Sequence, residues 1–202
     1  MEPFKRLTAV ACPLPFANID TDQIVPARFM STPRSQGYGG FLFHDRRRGP
    51  DGQPTGAFPL DRPERTATGI IVAKRNFGCG SSREAAVYAL MDFGIRCVIA
   101  PSFGEIFGGN SLSNGLLNAR VSEHDADVLL GELEAGVLEL TVDLEVQRIT
   151  GAGDPIRFEI DPAAKLRLIN GWDDVQMTLS FKDEIAAFQQ RDAAARPWVR
   201  PA

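Results

Sequence analysis

Apolar positions along the chain follow two rhythms. Gly69-Ile70-Ile71-Val72-Ala73-Lys74 is an unbroken apolar run rich in β-branched residues and predicts a buried strand. Beyond a glycine-punctuated stretch, Ala85, Ala86, Ala89, Leu90 and Phe93 recur at helical spacing. Ile95-Arg96-Cys97-Val98-Ile99-Ala100 predicts a second strand, and Pro101 to Phe107 opens another helix. This β-α-β-α progression favours parallel strands joined by right-handed crossovers, hence an α/β fold. The second half is less regular. Residues 124–133 predict a helix, 137–142 and 144–150 alternate as a hairpin, 156–160 add a strand, and helices are expected over 163–170 and 182–191.

Elsewhere the periodicity weakens. From Cys12 to Met30, prolines and Asp/Asn-rich steps punctuate short apolar pieces, so loops and turns are expected. Residues 31–65 are rich in Gly, Pro and Arg and predict a long excursion with a short helix near residues 40–44; excursions of that length tend to carry function or mobility. Arg46-Arg47-Arg48 within it reads as a solvated face. The organisation expected is one domain over residues 1–192, its excursion at about 31–66, followed by a loosely held tail over 193–202.

Composition removes several classes. The 202 residues carry a net charge of −4 with both signs interspersed, which leaves no basic footprint for nucleic acid or an anionic membrane. No apolar run approaches the ~20 residues of a membrane span, and the apolar stretch after Met1 is too short for a signal-peptide core, so a cytoplasmic location is expected. Cys12, Cys79 and Cys97 are far apart without a CxxC pair, and His44 and His124 lack partners at ligand spacing. No metal site is expected from this chain alone.

The chemistry is expected in Asn76-Phe77-Gly78-Cys79-Gly80-Ser81-Ser82-Arg83-Glu84, which joins the first strand to the first helix. Gly78 and Gly80 let the backbone take positive φ and approach a ligand, and a helix start attracts negative charge. Ser81-Ser82-Arg83-Glu84 also fits a capping box, which would need no function. A dinucleotide fingerprint would need glycine where Arg83 stands, and a hydrolase elbow would need the frame G-x-S-x-G. Cys79 is either a low-pKa nucleophile at a helix start or a packed thiol, and the small residues around it favour packing. What remains is a serine hydroxyl close to an arginine and backbone donors, suited to binding a carboxylate and moving a proton beside it. Serine is a poor base unless its alkoxide is stabilised, so an electrophile supplied by a partner is expected.

Three blocks in order carry a resemblance: Asn18-Ile19-Asp20-Thr21-Asp22-Gln23-Ile24-Val25-Pro26-Ala27-Arg28-Phe29, the stretch Asn76 to Glu84, and Ala100-Pro101-Ser102-Phe103 with Ile106-Phe107, Asn110-Ser111 and Asn114-Gly115-Leu116-Leu117. Together they resemble the swivel domain of the aconitase superfamily, and within it the small-subunit family of bacterial isopropylmalate dehydratases. Asn170-Gly171-Trp172-Asp173-Asp174 resembles the helix end of that family's long bacterial form. The resemblance implies a swivelling β/β/α domain with a central β-α-β unit and a C-terminal helical extension. It also implies a large partner subunit carrying a [4Fe-4S] cluster, and a hydro-lyase that interconverts 2-isopropylmalate and 3-isopropylmalate through isopropylmaleate in leucine biosynthesis. By position, Ser81 matches the family's catalytic base, Ser82 the adjacent substrate-binding serine and Arg83 the carboxylate-gripping arginine. The segment Phe29-Met30-Ser31-Thr32-Pro33-Arg34 corresponds to the loop that selects the substrate side chain, with Arg34 as a second carboxylate ligand.

Two departures from the family pattern stand out: Ala85 where histidine is common and Asn118 where proline is common. They leave open a related 2-hydroxy dicarboxylate or tricarboxylate as substrate. A carboxylate-binding regulatory module is the alternative of a different class, and an RNA-binding regulator is disfavoured by the acidic balance.

Overall fold

The computed structural model describes residues 1–199, which divide into two compact units, Met1–Gly171 and a second from Trp172 onward. In the first, β1 (Arg6–Leu14), β2 (Thr68–Ala73), β3 (Cys97–Ala100) and β4 (Leu117–Arg120) run parallel. To them are added the antiparallel strands β5 (Glu139–Asp143), β6 (Arg148–Thr150) and β7 (Ile156–Arg157). The sheet order is β4-β3-β2-β1-β5-β6-β7. The parallel β-α-β expectation holds, with α3 (Glu84–Phe93) crossing from β2 to β3 and α4 (Glu105–Asn114) from β3 to β4. The hairpin expected after residue 137 is β5-β6, and the helix expected over 124–133 is α5 (Glu123–Glu134).

Both faces of the parallel strands are covered, as their unbroken apolar runs require. Successive residues of β2 alternate between two cores. Ile71 and Ala73 join Val87, Ala89 and Leu90 of α3, while Ile70 and Val72 join Ala126, Leu129 and Leu133 of α5.

Two regions differ from the sequence expectation. The stretch read as turns, from Cys12 on, overlaps the end of a central strand, β1, which contains Pro13. Pairing with β5 stops at Val10, whereas pairing with β2 continues to Leu14, so Pro13 sits where only one neighbour flanks the strand and its missing N–H breaks no ladder on the open side. The excursion is also no loose loop. It carries α1 (Thr21–Ile24) just before it, a 3-10 turn at Gly39–Phe41 and α2 (His44–Arg47), in place of one helix over residues 40–44. Tyr38, Leu42, Phe43, Phe58 and Leu60 are buried in the core beside α3. Its end is pinned by Arg65, 3 % exposed, whose guanidinium donates to the carbonyls of Leu133 at 2.8 Å, Val137 at 3.1 Å and Ala11.

The helix α6 (Pro162–Asn170) closes the first unit, capped by Asp161 at its start and by the left-handed Gly171 at its end. The second unit contains α7 (Asp174–Leu179), opened by an Asp173/Gln176 capping box, and α8 (Lys182–Ala195). The boundary between the two units falls after Gly171. The tail expected at 193–202 holds the last turn of α8 and a 3-10 turn at Pro197–Val199, and its final three residues lie outside the described ones. Among the described residues, no helix is long and apolar enough to cross a membrane.

Candidate functional site

The chain leaving β2 is held between its two neighbours along the carboxyl edge of the parallel sheet, where open α/β sheets bind ligands. Pairing continues past the strands through bridges between Asp20 and Cys79 and between Phe77 and Phe103. Gly78 N–H donates to the Ile19 carbonyl at 2.7 Å, Thr21 N–H to that of Cys79 at 2.9 Å, and Gly104 N–H to that of Phe77 at 2.9 Å. Asn76, at φ 64°, is fixed by its N–H on Ser102 Oγ at 2.9 Å and its Nδ2 on Asn18 Oδ1 at 2.8 Å. Gly78 is required twice over, since its φ is +72° and a Cβ there would lie 2.2 Å from the Phe107 ring.

This turn presents three side chains. Ser81 and Ser82 are exposed, and the Ser81 carbonyl accepts from Thr21 Oγ1 at 2.9 Å. Arg83 is the N-cap residue of α3 and makes no side-chain cap bond, so the first-turn N–H groups are left without one. The capping-box reading of Ser81 and Glu84 does not hold, because the helix starts later than expected and Glu84 instead accepts from Asn114 Nδ2 at 2.8 Å. The Arg83 side chain, 15 % exposed, pairs through Nη1 with Asp22 of α1. That contact engages one arm of the guanidinium, and the fork has further donors with which to take a carboxylate.

Arg34 does not join this group. Both its Nη atoms bond Asp92, at 2.5 and 2.7 Å, and its guanidinium lies over the Tyr88 ring at 4.4 Å. Asp92 is nine residues beyond Arg83 on α3, about 13 Å along the axis at ~1.5 Å per residue. Arg34, expected as a second carboxylate ligand, is thus paired here with a carboxylate of the protein itself.

Cys79 is partly buried at the turn, and burial together with nearby Asp20 raises its thiol pKa, opposite to what a thiolate nucleophile needs. Cys12 and Cys97 lie in the two opposite cores, where burial pushes both thiols up. The three thiols therefore do not converge as cluster ligands, and among the described residues no group of three His, Cys, Asp or Glu side chains could hold a metal ion. Among the described residues, the thiols as placed do not fit a resident iron–sulfur cluster.

Thr21 and Asp22 also bond this turn, through the Ser81 carbonyl and the Arg83 guanidinium. The sequence shows an Asp/Asn-rich step there, and Asp20 does cap α1 by accepting from Gln23 N at 2.7 Å, but the pairing of this step with the turn 60 residues later has no local signal. A cavity of about 500 Å³ opens on the far side of Gly104, between α4, β4 and α6. Neither it nor the smaller hollow beside Arg157 is lined by Ser81, Ser82 or Arg83. The serine turn is an open edge.

The family description "Aconitase C-terminal domain" matches residues 1–124, and one described as LeuD_N matches residues 127–162. The chain is 46 % identical over 203 residues to the 3-isopropylmalate dehydratase small subunit of Phenylobacterium zucineum, covering 100 % of both. It is 47 % identical over 201 residues to the protein of the same description from Afipia carboxidovorans, covering 98 % of this chain and 100 % of that one. The crystal structure of a 3-isopropylmalate dehydratase from Methanocaldococcus jannaschii is similar in fold, with a TM-score of 0.64 at 24 % identity, over 91 % of this chain and 99 % of that one.

Proposed function

Because the chain belongs to the family of 3-isopropylmalate dehydratase small subunits, we propose that it acts as the smaller half of a hydro-lyase, with Ser81 as the base of a site completed by a large subunit. The reaction is the isomerisation of 2-isopropylmalate and 3-isopropylmalate through isopropylmaleate, a step of leucine biosynthesis carried out in the cytoplasm.

In the forward direction Ser81, as the alkoxide, takes the proton from the carbon that bears no hydroxyl. The adjacent carboxylate acidifies that proton, and the hydroxyl leaves from the neighbouring carbon as the double bond forms. Rehydration with the two positions exchanged returns the proton from Ser81. The start of α3, which has no side-chain cap, and the Arg83 guanidinium stabilise the alkoxide, and the remaining Arg83 donors with the Ser82 hydroxyl hold a substrate carboxylate. The large subunit would hold the [4Fe-4S] cluster, which when bound would supply the electrophile for the hydroxyl.

The observation that carries this reading is the exposure of Ser81 and Ser82 next to the mostly buried guanidinium of Arg83 at the start of α3. A serine base is ineffective in open water, so the arrangement makes chemical sense once another surface closes over it. Mixing this chain with an anaerobically reconstituted large subunit tests the division of labour. Turnover of 2-isopropylmalate only in the mixture supports it, and turnover by either subunit alone contradicts it.

A further inference from the structure

One carboxylate straps the start of the excursion to the exposed face of α3. Asp92 accepts from both Nη atoms of Arg34 and, at 2.7 Å, from the backbone N–H of Tyr38. The Tyr38 hydroxyl donates back to the Thr32 carbonyl at 2.8 Å, and its ring meets Tyr88 edge-on with centroids 6.0 Å apart. The contact is close along the backbone as well, since a Cβ on Gly39 would lie 2.8 Å from the Asp92 carbonyl oxygen. Glu84, Tyr88 and Asp92 are spaced i, i+4, i+8, so they form one stripe of α3 that begins directly after Arg83.

The other end of the segment is also anchored. Phe29 stacks on Phe41 with centroids 4.2 Å apart, and Arg28 pairs with Asp45. Between the two anchors Met30 is 46 % exposed, a large apolar side chain on a polar edge. The anchor at Phe29 follows α1, whose Thr21 and Asp22 bond the Ser81 turn. The segment is therefore tied at one end to the element that holds the catalytic turn and at the other to the helix that grows out of it.

We propose that Asp92 is a positioning residue for substrate selection: its clasp on Arg34 and Tyr38 fixes the placement of Met30 to Pro33, the segment that meets the apolar substituent of the 2-hydroxy dicarboxylate. This rests on the catalytic reading above for its substrate and on the hydrogen bonds alone for the clasp. Arg34 acts here through Asp92 and does not touch substrate.

The test is a double-mutant cycle in the assembled two-subunit complex, using Arg34→Gln, Asp92→Asn and both, with 2-isopropylmalate as substrate. Each single change is expected to raise KM about tenfold with kcat within about twofold, and the double variant is expected to be no worse than either single one. If Arg34→Gln raises KM while Asp92→Asn leaves it unchanged, Arg34 is a direct ligand and the proposal is overturned. Equal losses confined to kcat also overturn it.

Limited trypsin digestion reads the clasp without turnover. Cleavage after Arg34 in the whole chain is expected to quicken at least about tenfold in Asp92→Asn at an unchanged thermal midpoint. An unchanged cleavage rate refutes the clasp whatever the kinetics show. A wild-type complex that fails to turn over 2-isopropylmalate refutes the catalytic reading, and the digestion still decides the clasp by itself.

Discussion

The hydroxyl of Thr21, a residue 2 % exposed, donates to the backbone carbonyl of Ser81 at 2.9 Å, so the proposed base is placed by a buried side chain 60 residues earlier in the chain. Thr21→Val keeps the shape and removes the donor. It is expected to cost about 1 kcal/mol of stability and to lower kcat of the complex about tenfold through misplacement of Ser81. Urea unfolding and steady-state kinetics measure the two effects, and an unchanged kcat would show that this bond does not position the base.

Gly104 and Gly109 give a matched pair of substitutions at the start and within α4. A Cβ on Gly104 would lie 2.4 Å from the Gly78 carbonyl oxygen, a backbone atom of the catalytic turn, whereas one on Gly109 would meet nothing within 4 Å. Gly104→Ala is expected to destabilise by about 3 kcal/mol through overpacking. Gly109→Ala is expected to stabilise by up to about 1 kcal/mol through helix propensity. Equal urea midpoints for the two variants would contradict this packing of the turn against α4.

Arg65→Met is expected to cost about 3 kcal/mol, because the carbonyls of Ala11, Leu133 and Val137 would lose their donor in a buried place. Loss of less than about 1 kcal/mol in chemical unfolding would mean that these carbonyls find other donors.

Burial pushes the Cys12 thiol up to about 12 and also raises that of Cys97. Because the folded state favours the neutral thiols, their contribution to stability is fully present below the unfolded thiol pKa of ~8.5 and is lost as pH rises above it. Unfolding midpoints are therefore expected to fall between pH 8 and pH 10, and to fall less in a Cys12→Ala variant. An identical pH dependence in the variant would show that Cys12 does not titrate with unfolding.

The elements legible in the sequence were those whose signal is local. The run at Ile70 to Ala73 and the spacing of Ala86, Ala89 and Leu90 sufficed for β2 and α3, because burial on one face or both imposes its period directly. The Ser81-Ser82-Arg83 turn was legible through its glycines. What escaped depends on tertiary context. The central strand β1 carries a proline that is tolerated only because β5 stops at Val10. Thr21 and Asp22 become site residues only when α1 is laid against the turn, and Arg34 looked free because Asp92 lies 58 residues away.

The most direct test of the central claim is turnover of 2-isopropylmalate by the Ser81→Ala chain mixed with its cluster-bearing large subunit, followed by absorbance of the unsaturated intermediate. The account predicts an intact complex in which kcat falls about a thousandfold, as loss of a positioned base requires. Activity within about twofold of wild type in an intact complex would contradict the assignment of Ser81 as the base.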